Sequence, residues 1–280
     1  ILMTGFEPWQ PEDSVLVLKL LAMALSGNAT EEVQRARLIK LLGARRAEEF
    51  ASPNRAPGPV MLRDALKSDH SANFLPDAFL EQIEDLQGAS NNWVVDGRFT
   101  KSGKPLLAND PHLSLTAPGI WYLAHLKLPS GDIVGGTMPG LPTIVLGHNA
   151  HVAWGFTTTQ ADTEDLVIET LDPKDATRYL TPHGSEPFLV RHEKIRVRFG
   201  KTREVEFRES RHGPILPDVF KSVAEILPPG TVMALSAAGL SRDDTTLDAG
   251  LALIDLKTVK DVPATMPLYQ APMQNMVFAD

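Results

Sequence analysis

Apolar residues dominate the chain between Val15 and Leu25, where Val15, Leu16, Leu18, Leu20, Leu21, Met23 and Leu25 leave only Lys19 as a charged interruption. Pro11-Glu12-Asp13 stands just before them, with proline and acids in the first turn that the helix dipole favours. The pattern predicts a helix that is largely buried, ended by Ser26-Gly27-Asn28. Thr30 is set to cap a second helix, with Glu31 and Glu32 in its first turn and Gly43 beyond its end. Residues 52–60 are a proline- and glycine-rich connector, and residues 63–88 are polar and weakly helical. From Ser90 the period changes to that of strands. Asn92–Val95 and Pro105–Ala108 read as a hairpin. Trp121–Leu128, Asp132–Thr137 and His151–Thr158 read as further strands. Alternation from residue 178 to 216 (Lys194-Ile-Arg-Val-Arg-Phe, Arg203-Glu-Val-Glu-Phe-Arg) predicts half-exposed strands of a meander. Asp243–Ile254 and Thr258–Met266 look helical, and Gln270–Phe278 leads into another strand. The class expected is α+β, with helices before residue 90 and a multi-stranded antiparallel sheet after it.

Composition narrows the chemistry. The 280 residues, 43% hydrophobic and 22% charged, suffice for one large domain or two ordinary ones with a sizeable core. A formal net charge of −8 argues against nucleic acid as a partner, since phosphate binding wants a basic footprint. There is no cysteine, so thiolate metal sites, disulfides and cysteine nucleophiles are excluded. The apolar run from Val15 to Leu25 is shorter than the roughly 20 residues of a membrane span. No basic segment with a following apolar stretch marks a signal peptide. Both ends of the chain look trimmed.

Few residues carry chemistry on their own pattern. Ser90, between Ala89 and Asn91, reads as a turn or strand-start hydroxyl bonded to nearby backbone. Alternatively the Ala89–Ser90 bond is a cleavage site, and Ser90 becomes an N-terminal nucleophile. Its own α-amine, of pKa about 7.7–8.0, would then be its base. His112, after Asn109-Asp110-Pro111, is a solvated loop histidine, a buried structural one, or a partner of that serine. Asp162-Thr163-Glu164-Asp165 offers several carboxylates in one acidic turn, as a solvated turn or as part of a calcium site. Glu31 alone is a surface carboxylate at a helix start, and Asn275 alone is a loop amide. His148 and His151 lack a third ligand in view and are loop chemistry. No serine has glycine at both −2 and +2, so the nucleophile-elbow signature is missing.

Together these pieces resemble the penicillin acylase family of N-terminal-nucleophile hydrolases. The matching residues are Pro8-Trp9 with Asp13-Ser14, Ser26-Gly27-Asn28 with Glu31, and Gly88-Ala89-Ser90-Asn91-Asn92-Trp93. Asn109-Asp110-Pro111-His112, Trp154-Gly155-Phe156-Thr157, Asp162 with Asp165, His212-Gly213-Pro214 and Gln274-Asn275 with Ala279-Asp280 follow in the family's order. The resemblance implies an αββα sandwich of antiparallel sheets, incomplete at both ends. It implies a precursor that cuts itself before Ser90 into an α-chain (residues 1–89 here) and a β-chain (residues 90–280), each the other's partner.

In that scheme Ser90 attacks the amide carbonyl of a small-molecule N-acyl substrate, and His112 holds the serine and its amine. Asn275 and a backbone N–H at Thr158 or Thr159 meet the oxyanion. Glu31, Asp162, Glu164 and Asp165 match a structural calcium site. Leu21, Leu25, Leu113, Trp121, Tyr122 and Leu146 match the acyl pocket. Leu146 stands where the cephalosporin acylases carry an arginine, so an apolar acyl group is expected, on a β-lactam, an acyl-homoserine lactone or a related amide. A periplasmic or secreted location follows from the resemblance alone. The competing expectation is a non-catalytic, calcium-binding, β-rich interaction module on the same scaffold.

Overall fold

In the computed structural model, residues 8–50, 90–113, 115–159, 161–217 and 221–280 are described. Ala89, and with it the proposed cleavage junction, lies outside them. The chain is of the α+β class, and every strand pairing among the described residues is antiparallel. Contacts divide it into two units, one drawn from Ile1–Ser26, Ile83–Thr163 and Ala238–Asp280, the other from Gly27–Gln82 and Glu164–Ala237.

The first unit begins with helix α1 (Pro11–Ser26). Proline sits at its start, and the Asp13 carboxylate accepts the N–H of Gln10 at 2.7 Å, so the first turn is closed as the sequence predicts. Ser14, Leu21, Ala22 and Ala24 are buried, whereas Val15, Leu16 and Leu20 are exposed. The nearly all-apolar helix therefore buries one face only. That face is tied down by Lys19, whose ammonium donates to the carbonyls of Gly239 (2.9 Å) and Ser241 (3.1 Å) and to Asp244 Oδ2 (3.2 Å).

Strands β1 (Asn91–Val95) and β2 (Leu106–Asp110) form the expected hairpin, with Trp93 opposite Ala108. A five-stranded sheet follows from β3 (Tyr122–Leu128), β4 (Gly131–Thr137), β5 (Leu146–His148) and β6 (Ala153–Thr158). With β14 (Gln274–Ala279) added, its order is β14-β6-β5-β4-β3. Strand β5 escapes the sequence reading because it is three residues long and its Gly147 has no side chain to betray a period. Glycine there is required by packing. A Cβ on Gly147 would lie 2.1 Å from the Val134 carbonyl oxygen, and one on Gly135 would lie 2.1 Å from that of Leu146.

One face of this sheet carries the core: Ile133, Ile144, Val152, Trp154 and Phe156, closed by Leu253 and Leu256. Leu253 opens the short 3-10 turn (Leu253–Asp255) that follows α5 (Thr246–Ala252), where the sequence reading gives one helix over 243–254, and Leu256 comes just after it. Asn149 turns the chain between β5 and β6. Its Oδ1 accepts the N–H groups of His151 and Val152, and its Nδ2 donates to the Ile254 and Leu256 carbonyls. His151 lies in this turn, whereas His148, expected in a loop, closes β5 and pairs with Val134 and Ala153.

The second unit holds α2 (Ala29–Leu42), α3 (Ala44–Phe50) and α4 (Lys221–Ile226). Asn28, not Thr30, precedes the first of these helices, and Gly43 ends it with φ of 77°. Strands β7 (Glu164–Asp172), β8 (Asp175–Thr181), β9 (Gly184–Pro187) and β13 (Thr231–Ala237) make one sheet, in the order β13-β7-β8-β9. Strands β10 (Leu189–Ile195), β11 (Arg203–Ser210) and β12 (Gly213–Pro214) make another, and β10 is exposed along its length. Its core gathers Val33, Val223 and Met233. Glu164 and Asp165 open β7 rather than sit in a turn, because they pair with Ala237 and Ser236 of β13.

Candidate functional site

The first unit contains an open cleft, and Ser90 is on its wall. Ser90 immediately precedes β1, so the register of the hairpin fixes where its side chain starts. The Leu21 and Leu25 side chains of α1 line the same cleft, together with Leu113, Trp121 and Leu146. Five of the six residues expected in an acyl pocket are thus brought together around the serine. Tyr122 is not among them: it is 63% exposed. The reason is the two-residue period of β3. Trp121 turns inward, its indole N–H donating to the Pro111 carbonyl at 3.2 Å, and the next side chain turns out.

Several cleft residues were not legible as such. Phe156, Thr157 and Tyr269 line it, as do Pro111, Val145, Pro272 and Gln274. Tyr269 meets Phe156 edge-on with ring centroids 5.8 Å apart, and burial pushes its phenol well above the usual tyrosine value, with the negative charge of Asp244 adding to the shift. The alternation of β6 could have flagged Phe156. The segment from Tyr269 to Pro272 carries no such period.

The oxyanion region is set by the β14–β6 ladder. Gln274 pairs with Thr158 and Asn275 with Thr157. The Thr159 N–H is taken up by the Met273 carbonyl at 3.3 Å. Antiparallel ladders alternate the direction of successive N–H groups, so the Thr158 N–H points away from β14. Thr158 also lines the cleft, while Thr159 does not. The Asn275 side chain is exposed and falls on the Thr157 face of the sheet, and the Asn275 backbone carbonyl accepts Asn92 Nδ2 at 3.1 Å. His112 does not line the cleft, although both of its neighbours do. Its imidazole is 67% exposed, with Nδ1 3.9 Å from Asp110 Oδ1. The loop after β2 turns Pro111 and Leu113 inward and this side chain outward.

Asn109 is the residue that sequence reasoning placed in a motif without giving it a task. Its Nδ2 donates to the carbonyls of Asn91 and Phe156, each at 3.0 Å, and its Oδ1 accepts the Phe156 N–H at 2.8 Å. Strand β5 pairs with β6 only through Gly147–Trp154 and His148–Ala153, so Phe156 lies beyond that pairing. The Asn109 carboxamide takes the place of a neighbouring strand's peptide group. It reaches that position because Gly155 has no side chain: a Cβ there would meet Asn109 Oδ1 at 2.8 Å. One side chain thereby fastens the strand that follows the serine to the strand that ends at Thr158.

The expected calcium ligands fare differently. Glu164 is buried, while Glu31, Asp162 and Asp165 are exposed. Among the described residues no group of three or more histidine, cysteine, aspartate or glutamate side chains is gathered to hold a metal ion. Among the described residues no helix is long and apolar enough to cross a membrane.

The family profile described as penicillin amidase matches residues 1–280. Among curated relatives, an acyl-homoserine lactone acylase QuiP of Pseudomonas aeruginosa is 30% identical over 99% of this chain and 35% of its own length. A penicillin acylase 2 proenzyme of Pseudomonas sp. (strain SE83) is 31% identical over 75% of this chain and 28% of its own. The chain thus spans about a third of the length of the relatives it matches. A thermostable penicillin G acylase from Alcaligenes faecalis shares the fold, with a TM-score of 0.57 at 23% identity over 69% of this chain and 33% of that one.

Proposed function

The chain belongs to the penicillin amidase family, and from that premise we propose that it carries the nucleophile and acyl pocket of an amidohydrolase acting on N-acylated small molecules. The observation that carries this reading is the position of Ser90, at the head of β1 and on the wall of an apolar cleft. A serine at that point gains its base when the Ala89–Ser90 bond is cut, because the freed α-amine lies on the same residue. The word proenzyme in the name of one relative supports such a cut.

The steps follow from the groups at hand. The α-amine of Ser90 takes the hydroxyl proton as Oγ attacks the substrate amide carbonyl. The Thr158 N–H and the Asn275 carboxamide stabilise the oxyanion. The tetrahedral adduct collapses when the same amine returns the proton to the leaving nitrogen. Water, deprotonated in turn by that amine, then hydrolyses the acyl ester and restores Ser90. Turning the Asn275 amide and the His112 ring toward Ser90 is part of the proposal. Leu21, Leu25, Leu113, Trp121 and Leu146 favour an apolar acyl group. The β-lactam or lactone end of the substrate is left open. A calcium ion near Glu31, Asp162, Glu164 and Asp165, and a location outside the cytoplasm, are proposals that stand on the family resemblance.

Intact-mass measurement tests the cut, and release of amine from phenylacetyl, glutaryl and long-chain acyl amides tests the chemistry. Two chains dividing before Ser90, with turnover of apolar acyl amides, are expected. Ser90→Ala should remain one chain and lose turnover. Maturation and turnover in Ser90→Ala would overturn the assignment. A wild-type chain that never divides and never turns over substrate would favour the non-catalytic module.

A further inference from the structure

On the wall of the cleft around Ser90, one side-chain N–H group is buried without a hydrogen-bond partner among the described residues. Gln274, the first residue of β14, lines the cleft, and its Nε2 is covered with no hydrogen-bond partner among the described residues. Its register partner is Thr158, so both side chains belong to the same face of the sheet. Around it the cleft is mostly apolar, with Leu21, Leu25, Phe156 and Pro272 on its walls beside Ser90, Thr157 and Thr158. A glutamine amide placed in such a wall without a partner is costly to the free protein, and a methionine would fill the same volume at no such cost.

Resting on the amidohydrolase reading above, we propose that Gln274 is a specificity-determining residue that hydrogen-bonds an oxygen function on the substrate's acyl chain. The preferred acyl group is then a mostly apolar chain bearing one neutral keto, hydroxyl or ether oxygen. The terminal amide torsion of glutamine is broad, and this amide breaks no hydrogen bond in turning toward the cleft. An acyl chain with an oxygen at the matching carbon satisfies the amide. A plain hydrocarbon chain leaves it buried and unpaired in the complex. Discrimination arises from that unpaired amide, and it acts on the acyl half of the substrate alone.

The test uses the protein expressed from its complete gene and anilides of equal acyl length. One set is unsubstituted, and the others carry a single keto, hydroxyl or ether oxygen at successive carbons. At one carbon the oxygen-bearing substrate should exceed the plain chain by roughly tenfold to a hundredfold in kcat/KM. Gln274→Met should bring that ratio to about one, and its thermal midpoint should equal or exceed that of the wild type. A second variant, Gln274→Leu, repeats the ratio should the first fail to fold. A ratio below twofold at every carbon in the wild type, or a preference that survives in Gln274→Met or Gln274→Leu, overturns the inference and leaves the amidohydrolase reading intact. A wild type inert toward every anilide overturns both.

Discussion

Replacing Asn109 by alanine removes three hydrogen bonds at once, and the structure says what each loss does. The carbonyls of Asn91 and Phe156 and the N–H of Phe156 each lose the bond to this side chain. A net contribution of about 1 kcal/mol per bond gives a destabilisation of about 3 kcal/mol for Asn109→Ala, more where water does not reach the stranded groups. For a chain of this size that is roughly 6–12 °C in the unfolding midpoint. Function should suffer beyond stability, because the lost clamp joins the strand that follows Ser90 to the strand of Thr158. Misplacement by about 1 Å between reacting groups typically costs on the order of 100-fold in rate. Asn109→Asp keeps the shape but, once ionised, donates nothing to the two carbonyls, so it should behave almost as badly.

A double-mutant cycle isolates the cause. Gly155→Ala places a methyl 2.8 Å from Asn109 Oδ1 and 2.9 Å from its Cβ, which the hydrogen-bonded side chain cannot vacate. In the Asn109→Ala background much of that obstacle is gone, so the two costs should fall short of additivity by about 1 kcal/mol or more. Urea unfolding followed by tryptophan fluorescence reads all four proteins. A change below about 0.5 kcal/mol for Asn109→Ala, or strictly additive costs, would refute the clamp.

Other outcomes are expected. Lys19→Met leaves Asp244, only 6% exposed, without its ammonium partner, and should cost about 2–3 kcal/mol by the same urea assay. Gly135→Ala drives a methyl into the Leu146 carbonyl and should prevent recovery of folded protein, which solubility and circular dichroism check. Leu146→Arg, which puts a cation on the cleft wall, should raise turnover of glutaryl amides relative to phenylacetyl amides by about tenfold or more. The Asp280 carboxyl is held below its ordinary value, first by the Thr258 hydroxyl and then by the Val259 N–H, at 2.6 and 2.9 Å. Because the folded value is the lower one, its stabilisation is whole above the usual carboxylate range and fades as pH falls through the folded value. The stability gap between wild type and Asp280→Asn should therefore be flat near neutrality and close below about pH 4.

What could be read beforehand depended on how local the determinant was. The β1–β2 hairpin and the strands around Trp121 and Trp154 announce themselves through alternation, since burial on one face is written directly into the order of residues. The pocket leucines of α1 are legible only through the family resemblance, because the helix is apolar nearly all round. The helix as a whole was overestimated, because an apolar residue records what can be buried and not what lies opposite it: Leu16 and Leu20 remain exposed. Strand β5, the outward turn of His112 and the bonding of Asn109 all depend on residues distant in sequence. Nothing near Asn109 tells that its amide will complete a strand through the gap left by Gly155. The acidic stretch, expected as a turn, opens a strand at Glu164 and Asp165, and a strand sends neighbours to opposite sides, so Glu164 is buried while Asp165 is exposed.

Newly made chain ends tend to fray unless something tethers them. The residues just after Ser90 are already moored, since Asn91 to Val95 lie in register with Asp110 to Leu106. Severing the backbone one bond upstream would remove none of those pairings. The amine so created would emerge from an anchored strand, able to pivot only over the short distance its own side chain allows.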